Sequence, residues 1–268
     1  MGLDEIDLTD GRNFVAGVPH EWFRRLRHEA PVYWHPEAVA PRGGYWAVTR
    51  YDDCVHVNRD WEHFSSARRT SLFHEMDDDQ LELDLFFMLL VVAGNETTRN
   101  LMSGAMTAFF DHPDQWELLR RDRSLLPVAV EEMLRYVTPV MHFRRTATED
   151  MEMRGQEIKE GDKIVFWHAS ANRDEEAFEN PDTFDITRSP NNHIAFGGGG
   201  PHFCLGANLA KMEILVMFDR LIERMPDLRL DGEVQRLQSN FINGTKHIPV
   251  AFAPTAPVGG TPLPARAR

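Results

Sequence analysis

Residues 85–93, Leu-Phe-Phe-Met-Leu-Leu-Val-Val-Ala, are apolar without interruption inside a stretch with helical spacing that runs from Asp77 to Asp111 and stops before Pro113. The run is much shorter than the ~20 residues a membrane span needs, so it reads as the buried middle of a helix. A helix that is apolar all round must be covered on every side by protein or by a large apolar ligand. One long helix at the centre of the fold is therefore expected. Asp77, Asp78 and Asp79 suit its start, where acidic groups meet the positive end of the helix dipole.

Shorter elements are legible on both sides. Trp22, Phe23 and Leu26 give residues 19–28 one apolar helical face, which Pro31 ends. Val32-Tyr33-Trp34 and Tyr45-Trp46-Ala47-Val48 are β-branched and aromatic, with the turn-forming Pro41-Arg42-Gly43-Gly44 between them, so a hairpin is expected. Residues 51–59 read as a short helix, left at Phe64-Ser65-Ser66. Beyond Pro113, residues 114–121 read as another. Ser124 is expected to cap a third, whose Leu126, Val130, Leu134 and Val137 share a face up to Pro139. Short strands are expected at 157–158 and 163–166, separated by the Glu160-Gly161-Asp162 turn, followed by a loop-rich segment over 172–201. Residues 206–225 return to helix, with Leu209, Met212, Glu213, Met217 and Leu221 stepping along it. A Pro/Ala/Gly tail at 254–268 is expected to be disordered. The sum is a mainly α fold with small β-sheets, one domain over residues 1–253, and no internal repeat.

A formal net charge of -13 argues against general affinity for nucleic acid or anionic membranes, which need a basic face. Two distant cysteines, Cys54 and Cys204, suggest neither a disulfide framework nor a four-ligand zinc site, which fits a reducing compartment. Residues 1–10 are acidic and lack a signal peptide's basic and apolar regions. The expectation is a cytoplasmic protein with no membrane anchor.

The segment richest in chemistry is Phe196-Gly197-Gly198-Gly199-Gly200-Pro201-His202-Phe203-Cys204-Leu205-Gly206, a glycine-rich turn that delivers one cysteine to the start of a helix. Glycines let backbone approach a flat ligand closely. The helix N-terminus stabilises a thiolate. A phosphate-cradling loop would need Lys-Ser or Lys-Thr where Phe203-Cys204 stand. A lone cysteine is more often a small buried hydrophobe than a ligand, so Cys204 alone would not decide the matter.

The stretch resembles the cysteine loop of cytochrome P450s, Phe-Gly-x-Gly-x-His-x-Cys-x-Gly, with one extra residue between Phe196 and Cys204, as in similar loops of bacterial steroid and lipid hydroxylases. The resemblance implies that Cys204 is the axial ligand of a haem b iron, His202 faces a propionate, Phe196 packs beside the sulfur, and Gly206 completes the motif. Ala93-Gly94-Asn95-Glu96-Thr97-Thr98 is similar to the family's Ala-Gly-x-Asp/Glu-Thr-Thr on the long helix. There Gly94 would leave room for oxygen, and Glu96 and Thr97 would guide protons for O–O cleavage. Read without the family, the same residues describe a kinked helix with Glu96 in a salt bridge. Glu132-Met133-Leu134-Arg135 resembles the family's Glu-x-x-Arg, with Arg188 as the third, structural member. Arg145 is similar to an arginine that pairs with a haem propionate, and Asn172-Arg173-Asp174 fits the loop after the short strands.

The resemblance runs from Asp77 to about Phe252, and residues 14–66 look like the N-terminal helix and sheet of the same group. In the family a large block of helices separates the two regions, whereas about ten residues join them here. The implied fold is a truncated cytochrome P450 with a deletion junction near 67–76. Apolar surface around residues 85–92 would be exposed by the loss, which predicts self-association. The implied activity is insertion of one oxygen atom from O2 into a C–H bond of a hydrophobic substrate, a steroid or lipid, with electrons from a ferredoxin and ferredoxin reductase. The alternatives are a haem-binding but catalytically impaired module, a fragment of a longer enzyme, and a splice or assembly error.

Overall fold

The computed structural model describes residues 2–37, 43–66 and 81–253, and for residues 81–89 the backbone alone. The start of the long helix at Asp77–Asp79, the junction at 67–76, part of the hairpin turn and the tail at 254–268 lie outside the described residues.

In chain order, helix α1 (His20–Glu29) precedes strands β1 (Val32–Pro36) and β2 (Gly44–Val48), which pair antiparallel from Val32↔Val48 to Pro36↔Gly44. Helix α2 (Tyr51–Arg59) and strand β3 (Phe64–Ser65) follow. Helices α3 (Leu81–Asp111), α4 (Pro113–Arg121) and α5 (Leu126–Val137) form the next block. Strands β4 (His142–Ala147), β5 (Met151–Met153), β6 (Gln156–Ile158) and β7 (Lys163–Trp167) lead to the short helix α6 (His168–Ala171). A long irregular segment then reaches α7 (Ala207–Arg224) and the C-terminal strands β8 (Arg229–Leu230), β9 (Gln235–Arg236), β10 (Thr245–His247) and β11 (Val250–Ala251).

Five strands form the main sheet in the order β1-β2-β7-β4-β3. Only β2 and β7 run parallel, with Trp46 opposite Ile164 and Val48 opposite Phe166. The period of two sorts their side chains. Trp46, Val48, Ile164 and Phe166 share a core with Cys54 and Val57 of α2, while Tyr45, Ala47, Val165 and Trp167 pack with Phe23 and Leu26 of α1. A third core joins Leu101, Ala105 and Phe109 of α3 to Val130, Met133 and Leu134 of α5 and to Ile214 and Phe218 of α7.

One expectation is corrected. Ser124 does not cap α5: it sits in a 3-10 turn, where the Asp122 carboxylate accepts from Ser124 N–H at 3.0 Å and from its hydroxyl at 2.5 Å. The two short strands are present and lie in different sheets: β6 pairs with β5, and β7 lies between β2 and β4 in the main sheet. On α7, Ala207, Ile214, Phe218 and Ile222 are buried, whereas Leu209, Met212 and Met217 of the stepping residues are exposed. The described protein leaves part of the apolar run of α3 uncovered, with Leu90, Val91 and Val92 47%, 66% and 41% exposed. Within residues 85–92, where exposure is expected, side chains are described from Leu90 onward. Among the described residues, no helix is long and apolar enough to cross a membrane.

Candidate active site

Cys204 is a free, exposed thiol three residues before Ala207, the first residue of α7. Its N–H donates to the Phe196 carbonyl at 3.0 Å, and its own carbonyl accepts from Ala207 N–H at 3.3 Å, so the loop closes on itself and hands the chain to the helix. Gly197, Gly199 and Gly200 have φ of +89°, +98° and +77°, the left-handed region that favours glycine. Phe203 and Leu205 flank the thiol and are exposed, which leaves an apolar rim around the sulfur. Phe196 is half-buried, with the Lys211 ammonium 5.6 Å from its ring centre.

Arg145 lies on β4 and is 3% exposed, yet it faces no carboxylate among the described residues. One Nη donates to the Arg144 carbonyl at 2.8 Å and the other to Asn58 Oδ1 at 3.2 Å, while Nε has no hydrogen-bond partner in the described structure. Burial without a counter-charge pushes its pKa down from the ordinary arginine value to about 10. His202, half-buried, is held below the usual histidine range, first by burial and then by the positive charge of Arg145. The loop and β4 thus present a thiol and two basic groups on adjoining elements. A buried cation of this kind calls for an anionic ligand.

Across on α3, a Cβ added at Gly94 would meet nothing within 4 Å, and the same is true of Gly206 beside Cys204. Thr97 Oγ1 donates to the Ala93 carbonyl at 2.5 Å. The Glu96 carboxylate accepts from Arg99 at 2.6 Å and from Asn100 at 3.3 Å, and its side chain is 35% exposed. Glu96 is therefore a salt-bridged surface group.

Glu132 and Arg135 are fully buried and joined by two 2.8 Å hydrogen bonds. Arg188 Nε stands 3.2 Å from Glu132 Oε2, and Asn191 and the Asp185 N–H complete the carboxylate's shell. Arg135 also donates to the carbonyls of Asn172, Pro181 and Thr183, which fastens the irregular segment to α5. Asn172, buried, accepts from Ile194 N–H and donates to Thr138 Oγ1. Sequence reasoning missed Asn58 and Arg59 at the end of α2, which hold the glycine loop through the carbonyls of Gly199 and Gly198.

A family model described as Cytochrome P450 matches residues 69–236. The chain is 45% identical to a methyl-branched lipid omega-hydroxylase of Mycobacterium tuberculosis, over 89% of this chain and 58% of that protein. It is 48% identical to a steroid C26-monooxygenase of Mycolicibacterium smegmatis, over 70% of this chain and 44% of that protein. The chain thus spans about half the length of these curated relatives. Among solved structures, a Mycobacterium marinum cytochrome P450 in complex with pseudoionone aligns with a TM-score of 0.83 at 26% identity, covering 94% of this chain and 99% of the other. Cytochrome P450-153 from Novosphingobium aromaticivorans aligns with a TM-score of 0.80 at 31% identity, covering 91% and 99%.

Proposed function

The chain belongs to the cytochrome P450 family, whose cofactor is haem, and on that premise we propose that it carries a haem-thiolate monooxygenase site acting on a hydrophobic substrate. The observation that carries the proposal is an exposed thiol at a glycine turn together with the buried Arg145, which meets no carboxylate among the described residues. These residues fit haem: Cys204 would ligate the iron, Arg145 and His202 would hold a propionate, and the open space at Gly94 and Gly206 would admit the ring and oxygen. When bound, a thiolate-ligated haem supplies activation of O2 for insertion of one oxygen atom into a C–H bond. Thr97 holds a hydroxyl proton against the Ala93 carbonyl, and releasing it toward the site requires breaking that bond. Glu96 would serve as the ionisable group that resupplies it after leaving Arg99.

The substrate class in this reading is a steroid side chain or a methyl-branched lipid, supported by the activities in the two relatives' names. Electrons would come from a ferredoxin and its reductase in the cytoplasm. Residues 67–76 would be the junction of an internal deletion, consistent with the share of the relatives' length that the chain spans. A second reading, haem binding without turnover, is favoured by the open flank at Leu90, Val91 and Val92, because an unsealed site admits water and wastes reducing equivalents.

The test is the absorption spectrum of the reduced protein with and without carbon monoxide, beside Cys204→Ala. A red-shifted thiolate-type Soret band that is lost in the variant is expected; a band typical of neutral ligation, or no bound haem, would sink the proposal. Product formation from a lipid or steroid with NAD(P)H, ferredoxin and reductase then separates the two readings. Reductant consumption without oxygenated product favours the second.

A further inference from the structure

The last turn of α2 packs against the glycine loop closely enough to act as its template. A Cβ on Gly198 would stand 3.0 Å from Val55 Cγ2 and 3.1 Å from Val55 Cα, and one on Gly200 would stand 3.2 Å from Arg59 Cα. Two successive loop carbonyls are captured by α2 side chains. Arg59 Nε donates to Gly198 O at 2.5 Å, and Asn58 Nδ2 donates to Gly199 O at 3.1 Å. Asn58 is 2% exposed, and its other end, Oδ1, accepts from Arg145 Nη2 at 3.2 Å.

The chemistry of the partners fixes the amide. A carbonyl only accepts and a guanidinium only donates, so one orientation of Asn58 satisfies both and the flipped one satisfies neither. An aspartate at 58 would still accept from Arg145, but it would neutralise the cation and lose the donor to Gly199. Asparagine orients Arg145 while leaving its full charge for an external anion. The same side chain links that cation to the loop that presents Cys204.

We propose that Asn58 is a positioning residue for the cofactor site, tying the cysteine loop to Arg145 while keeping Arg145 free of internal counter-charge. The proposal rests on the haem reading for the identity of the anion, and on the contacts of α2 alone for the ordering of the loop. Two arms separate these.

In the first arm, hemin is titrated into full-length wild type, Asn58→Asp and Asn58→Ala, with thermal melting of each haem-free protein as the control. Asn58→Asp is expected to weaken hemin binding by about tenfold or more, the scale of losing charge-assisted bonds to one carboxylate, with a melting temperature no lower than wild type. In the second arm, amide hydrogen exchange over residues 196–204 is compared in the haem-free proteins. Asn58→Ala is expected to exchange faster there, and Asn58→Asp, which also lacks the donor to Gly199, to behave alike, while α5 remains unchanged. Unaltered hemin affinity in Asn58→Asp together with unaltered loop exchange would overturn the proposal. If wild type binds no hemin, the haem reading fails, and the exchange arm still decides whether Asn58 orders the loop.

Discussion

Glu132 concentrates more interactions than any other acidic side chain described above. It accepts from Arg135 twice, from Asn191 and from the Asp185 N–H, and it faces Arg188, with its own side chain closed to solvent. Removing it leaves two guanidinium groups without their carboxylate in a dry interior. Glu132→Ala is therefore expected to cost about 3–5 kcal/mol, the range for breaking one side of a buried ion pair, read as a lower urea midpoint with an unchanged slope. The Glu-x-x-Arg spacing made this pair visible in the sequence, because both members lie one helical turn apart. Asn58 gave no such signal: its partners lie 87 and 141 residues away, and nothing local distinguishes it from a solvated helix end.

At the level of elements, α2 was read with its bounds because its ends are marked locally, whereas β4 was missed. The reason is physical. His142, Arg144 and Arg145 are buried in β4 at 0%, 4% and 3% exposure, so the strand lacks the apolar alternation that identifies one. Arg145 was singled out as a site residue only through its resemblance, without the strand that positions it. Burying such residues has a pH signature. Burial, with the charge of His168 added, pushes His142 down to about 3, and burial with the charge of Arg145 does the same for His168. The unfolded chain therefore binds protons below 6.5 that the folded chain refuses until about 3. Stability is complete above the unfolded value and declines as pH falls through that window. Between about pH 7.5 and pH 5.5 the two histidines together account for a loss on the order of 3 kcal/mol. Replacing His142 by Phe should flatten the decline in stability measured by urea titration across that range; an unchanged slope would count against the assignment.

For the molecule as a whole, the largest departure from a sealed globule is on α7 and the cysteine turn. Leu205, Leu209, Met212 and Val216, spaced to share one helical face, are 98%, 58%, 61% and 52% exposed, and Leu90, Val91 and Val92 leave a second apolar strip on α3. Surface of this kind favours association. Sedimentation at rising protein concentration is expected to show mass above the monomer, reduced in Leu209→Glu/Met212→Glu; a constant monomer mass would contradict it. Periodicity alone suggested a helix here but could not say which face was inside, because apolar residues occur on both. The parallel pairing of β2 with β7 carries a different kind of consequence, one of timing. Trp46 and Val48 meet Ile164 and Phe166 only after the whole helical block between them has been made. On a ribosome the wait is roughly ten seconds at ordinary elongation rates. Throughout that interval the hairpin of β1 and β2 presents Tyr45, Trp46, Ala47 and Val48 with no strand beside it, so the first strands of the sheet are those that most need shielding while the protein is born.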